Sequence, residues 1–113
     1  MPHCIVEYSA TLGSRLSPSE LMQNVYASAL KSGLFEGPDI KTRALAYDNC
    51  LTGAEPADFI HVTLRILSGR TDAQKQHLTS TVLTGLTDLN LTQVSLTVEV
   101  DDIHRHSYAK QLG

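Results

Sequence analysis

The chain has 113 residues with 12 acidic and nine basic side chains, a net charge of -3, and the Lys and Arg residues are scattered singly. That excludes a phosphate-tracking surface for nucleic acid, and no stretch approaches the length needed to cross a bilayer. The length suits one domain over 1–113, and Cys4 and Cys50, with neither a C-x-x-C spacing nor the count of a disulfide framework, read as free thiols of a reducing compartment, the cytoplasm.

The chain opens Met1-Pro2-His3-Cys4-Ile5-Val6-Glu7-Tyr8, a proline behind the initiator methionine and in front of a strand. Small second residues permit removal of Met1, which leaves Pro2 as a free secondary amine. An α-amino group titrates at about 7.7–8.0, so modest desolvation or a neighbouring cation makes it a neutral base near pH 7. The simpler reading is that Pro is tolerated at the first residue of a strand. Cys4, Val6 and Tyr8 share one parity, with Pro2, and His3, Ile5 and Glu7 the other, which predicts that Pro2 sits at the rim of an apolar pocket.

After a Gly13-Ser14-Arg15 loop, Ser17-Pro18-Ser19-Glu20 has capping-box form and predicts a helix with Ser17 as N-cap. Leu21, Met22, Val25, Ala29 and Leu30 supply its apolar stripe, and Gly33 suits a left-handed C-terminal cap. Gly37-Pro38-Asp39 is a turn into a strand from Ile40 to Tyr47, which carries Lys41 and Arg43 on one face. Asp48 to Asp58 reads as a loop. Phe59 to Leu67 then alternates, with Ile60, Val62, Leu64 and Ile66 as the core side.

Ser68-Gly69-Arg70 leads into a second capping box, Thr71-Asp72-Ala73-Gln74, and a helix to about Asp88 with Ala73, Leu78, Val82, Leu86 and Leu89 as its stripe. Val94 to Asp101 is the last strand, followed by a short polar tail. His104 and His106 in that tail have no third ligand at a characteristic spacing, so no metal is expected. The order strand, small-residue-plus-Arg loop, capping box, helix and strand occurs twice, giving repeats over about 2–57 and 58–113. The expected fold is α+β: two β-α-β repeats forming a four-stranded mixed sheet with both helices on one face. The other face, with His61, Thr63, Arg65, Ser95, Thr97 and Glu99 among apolar neighbours, is left for an oligomer to cover. His61 and Arg65 are expected to satisfy each other or Glu99.

The Pro2-His3-Cys4-Ile5-Val6-Glu7 opening, the Ile40-Lys41-Thr42-Arg43 strand and the Gly69-Arg70-Thr71 loop together resemble the tautomerase superfamily, with its macrophage migration inhibitory factor-like fold. Within it the resemblance is greatest to the 5-carboxymethyl-2-hydroxymuconate delta-isomerases and covers nearly the whole chain. It implies a homotrimer, catalysis without a cofactor by an N-terminal proline, here Pro2, and cations that grip a dicarboxylate enol. Pro2 is then the proton shuttle and Arg70, beside a helix N-terminus, the electrostatic clamp, with Lys41 and Arg43 binding substrate. Lys41 departs from the family, whose isomerases commonly carry Arg there, and a Lys lacks the bidentate fork. The implied activity is isomerisation of a small unsaturated dicarboxylate such as 5-carboxymethyl-2-hydroxymuconate, in aromatic-compound catabolism. Hydration or decarboxylation of similar acids is the alternative on this scaffold, and a non-catalytic trimeric binding protein is the alternative where Met1 stays attached.

Overall fold

The computed structural model describes residues 1–54 and 57–113. Strands β1 (His3–Ser9), β2 (Lys41–Tyr47), β3 (Asp58–Leu67) and β4 (Val94–Ile103) form one sheet in the order β2-β1-β3-β4. Helix α1 (Pro18–Lys31) joins β1 to its parallel neighbour β2, and α2 (Asp72–Thr87) joins β3 to its parallel neighbour β4. The two β-α-β units meet where β1 and β3 run antiparallel. This is the mixed sheet with two helices that the alternation and caps predict, although Glu55 and Pro56 of the expected Asp48 to Asp58 loop lie outside the described residues.

The core forms on the even-numbered face of the two central strands. Cys4, Val6 and Tyr8 of β1 and Ile60, Val62, Leu64 and Ile66 of β3 are buried against Leu21, Val25 and Ala29 of α1 and Leu78, Val82 and Leu86 of α2. Each fully buried aliphatic side chain contributes about 1.5–3 kcal/mol, so the sheet centre dominates stability. The inward residues of edge strand β4, Val94, Leu96, Val98 and Val100, are only half-buried.

Both helices start as the sequence predicts. The Ser17 hydroxyl accepts the Glu20 N–H at 3.1 Å, and Thr71 and Gln74 make the full reciprocal box, at 3.1 and 2.9 Å. The first box is only half made, because the Glu20 carboxylate meets the Ser17 hydroxyl, at 3.3 Å, instead of a backbone N–H. Gly33, at φ +77°, follows α1 in the left-handed conformation that a C-terminal cap requires.

Two stripe residues turn out differently. Leu30 lies one residue past Ala29, about 100° further round the helix, and is 41% exposed. Ala73, in the first turn of α2, is exposed. In their stead α1 buries Ser28 against Gly85 of α2, where an added Cβ would collide with the Ser28 hydroxyl and lie 3.2 Å from its Cβ. The Asn24 amide donates to the Gly85 carbonyl at 2.9 Å, so the seam between the helices is small and polar.

The opposite sheet face carries the expected polar row. His61 bonds Glu99 and Thr97, each at 2.6 Å, while Arg65 pairs with Asp101 at 3.5 Å and not with His61. The register explains this: Arg65 sits opposite Asp101 on β4. Among the described residues no helix is long and apolar enough to cross a membrane.

Candidate active site

The N-terminal ends of β1 and β2 and the C-terminal end of β3 lie at one end of the sheet, because β3 runs antiparallel to β1. Pro2 precedes β1 with its ring fully buried, and its carbonyl accepts the Lys41 N–H at 3.0 Å, which ties the chain start to β2. The Met1 amino group donates to the Asp39 carbonyl at 3.1 Å, and the Lys41 ammonium donates to the same oxygen at 3.1 Å. Burial first, and then the Lys41 charge, hold the Met1 amine below the ordinary value. The chain start therefore lies in an environment that favours a neutral amine.

Across from it stands Arg70. Gly69, at φ +123°, turns the chain after β3 into a conformation that other residues rarely adopt, and Arg70 follows directly. Its Nη2 donates to the Leu34 carbonyl at 2.8 Å, and its guanidinium lies 5.3 Å from the centre of the Phe35 ring. A cavity of about 400 Å3 is bounded by Met1, Asp39, Phe35 and Arg70, with Ile66 and Leu67 as its apolar wall. Tyr108 and Lys110 complete the lining.

The predicted cations divide between two places. Lys41 reaches the rim of this cavity through Asp39, whereas Arg43 lies on the open sheet face, its Nη1 donating to His3 Nδ1 at 3.1 Å. Both have the parity of His3, which sits opposite Lys41 in the register, and Arg43 sits opposite Ile5. Of the predicted site residues Arg70 lines the cavity, whereas Pro2, Lys41 and Arg43 are not among the cavity-lining residues.

Sequence reasoning passes over three residues here. Phe35 follows α1 with no periodic signal. Tyr108 and Lys110 belong to the tail, which folds back over β1: the Tyr108 hydroxyl meets His3 Nε2 at 3.2 Å, and Lys110 pairs with the Asp39 carboxylate at 3.5 Å. An aromatic and a cation within an otherwise polar tail are the only signal that it docks. His3 itself is held below its ordinary value by burial first, then by Arg43, Lys41, the Met1 amine and Arg65.

A second cavity, of about 440 Å3, lies at the far end of the sheet under residues 48–54. Its chief charge is already satisfied: Asp58 accepts the hydroxyls of Ser9, at 2.8 Å, and Thr11, and pairs with Arg15 at 2.6 Å. These contacts, the Thr11 hydrogen bond foremost, hold its carboxyl below the usual range. Of the two free cysteines, Cys4 is buried, which pushes its thiol up to about 11, and Cys50 is exposed. Among the described residues no group of three or more His, Cys, Asp or Glu is arranged to hold a metal ion, and His104 bonds Ser107 at 3.0 Å.

A family model described as 5-carboxymethyl-2-hydroxymuconate isomerase matches residues 2–111. Among solved structures, the chain is similar to a 5-carboxymethyl-2-hydroxymuconate delta-isomerase at 18% identity, with 100% of this chain and 89% of that one covered and a TM-score of 0.83. It is similar to a 5-carboxymethyl-2-hydroxymuconate isomerase from Deinococcus radiodurans R1 at 24% identity, covering 99% of this chain and 90% of that one, with a TM-score of 0.83. A fused 4-OT described as a wild-type symmetric trimer matches at 18% identity over 96% of this chain and 93% of that one, with a TM-score of 0.73. Likeness at these identities shows the fold. A comparison with curated protein sequences finds no match.

Proposed function

The chain belongs to the 5-carboxymethyl-2-hydroxymuconate isomerase family and is a tautomerase-type isomerase, and from that premise we propose that Pro2, freed by removal of Met1, shuttles a proton within a small unsaturated dienol that carries at least two carboxylates. In a 2-hydroxydienoate the O–H proton leaves for a base, and a proton returns to C5, giving the conjugated 2-oxo-3-ene. A neutral secondary amine with a pKa near the working pH serves both steps. No cofactor enters the reaction.

The observation that carries this reading is the single cavity shared by the chain start and a pre-positioned Arg70. The Arg70 guanidinium is fixed before substrate arrives, so it stabilises the anionic dienolate without reorganising. Lys41 binds a carboxylate at the rim as a point charge. The preferred substrate is 5-carboxymethyl-2-hydroxymuconate, whose carboxymethyl arm adds a third carboxylate to the two of the muconate chain. The cations around this cavity, Arg70, Lys41 and Lys110, suit that charge.

We read residues 1–113 as one domain of two repeats, about 2–57 and 58–113, which assembles as a homotrimer in the cytoplasm and serves aromatic-compound catabolism. Its open sheet face and unpaired edge strands support the trimer. Arg43 binds substrate in this reading at a seam between subunits, since it lies on that open face. With Met1 attached, the Pro2 nitrogen is an amide without a basic lone pair, and a trimeric binding protein is then the reading.

Spectrophotometric turnover of a panel of 2-hydroxydienoates tests the proposal. Conversion of 5-carboxymethyl-2-hydroxymuconate to its 2-oxo isomer is expected. Inactivity on every member would sink it.

A further inference from the structure

We propose that Tyr108 contacts the substrate: its hydroxyl, held by His3, donates a hydrogen bond within the Arg70 cavity to the 2-oxygen of the dienol. The inference deepens the isomerase reading and rests on it.

A guanidinium only donates, so His3 Nδ1, at 3.1 Å from Arg43 Nη1, accepts. An imidazole with an accepting Nδ1 is neutral and carries its proton on Nε2. That N–H, 3.2 Å from the Tyr108 hydroxyl oxygen, donates to it. The phenolic oxygen is thereby fixed as an acceptor toward His3, and its own O–H remains free to donate elsewhere.

The surroundings keep His3 in that state. Lys41 and Arg65 sit opposite it on the two flanking strands, Arg43 donates to it, and the Met1 amine lies nearby. Of the carboxylates near this set, Asp101 pairs with Arg65 at 3.5 Å and Asp39 with Lys110 at 3.5 Å. Burial and the fixed charges of Arg43, Lys41 and Arg65 all oppose an imidazolium, with or without Met1. The chain Arg43 to His3 to Tyr108 therefore runs in one direction through neutral pH.

Tyr108 lines the cavity together with Arg70, Phe35 and Lys110. The cations there are suited to carboxylates. A neutral phenol O–H is matched instead to an enol oxygen. Its hydrogen bond strengthens as the O–H proton leaves and negative charge grows on the 2-oxygen, so it acts on the rate more than on binding. Tyr108 is a catalytic residue in this account and His3 a positioning residue.

Steady-state kinetics on 5-carboxymethyl-2-hydroxymuconate with Tyr108→Phe, which keeps the ring against His3, test this. A fall in kcat of about 100-fold with KM nearly unchanged is expected. His3→Leu should show the same loss, and His3→Gln, whose carbonyl can accept from Arg43 and whose amide can donate to Tyr108, should recover most of it. The double variant Tyr108→Phe with His3→Leu should be no slower than either single one. A kcat for Tyr108→Phe within twofold of the wild type, a change in KM alone, or losses that multiply in the double variant would overturn the assignment while leaving the isomerase reading intact. A wild-type protein inactive on every 2-hydroxydienoate overturns both.

Discussion

The Arg70 guanidinium lies 5.3 Å from the centre of the Phe35 ring, across 35 residues of sequence. Together with the hydrogen bond from Nη2 to the Leu34 carbonyl, this stack fixes a charge that a flexible side chain would otherwise have to bring into place. Lys41, by contrast, is a mobile ammonium resting on a backbone carbonyl that also serves Met1.

The two cations should therefore fail differently when removed. Arg70→Ala should lower kcat by about 100- to 1000-fold, as loss of a fixed charge-stabilising group does. Arg70→Lys should recover little, since an ammonium has neither the planar stack nor the fork. Lys41→Ala should chiefly raise KM, by about 10-fold. Steady-state kinetics of the three variants would check this, and a larger fall in kcat for Lys41→Ala than for Arg70→Ala contradicts it.

Much of this fold can be read from the sequence because it rests on local rules. Ser17 and Thr71 announce helix starts through their own side chains, and Val6, Val62 and Leu64 announce a buried face by parity alone. What escapes depends on distance. Leu30 has helical spacing and still points outward, because the direction of a stripe is set by what it packs against. Arg65 selects Asp101 through a strand register that neither residue encodes. In the site, Pro2 and Arg70 stand out as residues, but Phe35, Tyr108 and Lys110 matter only because the tail and the α1 exit converge on the same cavity. The parity of Arg43 is legible, yet that its guanidinium reaches the cavity lining only through His3 and Tyr108 is not.

The proposed trimer rests on exposed surface and open edges. Leu45 is 56% exposed on the face without helices, and β2 and β4 each end the sheet with an unpaired edge. Leu67, which the uncovered face would be expected to leave wet, is half-buried at the cavity wall, so Leu45 carries this argument instead. A closed ring of three subunits covers the face and satisfies edges that would otherwise template aggregation. Light scattering at micromolar concentration should return three times the chain mass. A stable monomer contradicts the expectation.

At the other end of the sheet, Asp58 gives the fold an acid-sensitive clamp. Its carboxyl, 15% exposed, is held below the usual range by Thr11, Arg15 and Ser9. A group whose folded value is depressed adds stability above its unfolded value of about 3.9, and that stability is lost as pH falls from there toward the folded value. Asp58→Ala should thus destabilise the protein by about 2 kcal/mol at pH 7 and by progressively less under acid conditions. Urea unfolding of both proteins across that range would show the two converge, and a gap independent of pH contradicts the assignment.

Proton transfer in the proposed reaction depends on the nitrogen of Pro2. While Met1 is attached that nitrogen is an amide, next to a Met1 that lines the cavity and whose amine experiences burial and the Lys41 charge. Removing Met1 would hand the same surroundings to the Pro2 amine. The most direct test is the intact mass of catalytically active protein isolated from its native host. The predicted mass is that of a chain beginning at Pro2, and a mass that includes Met1 in protein that turns over substrate would show that Pro2 is not the base.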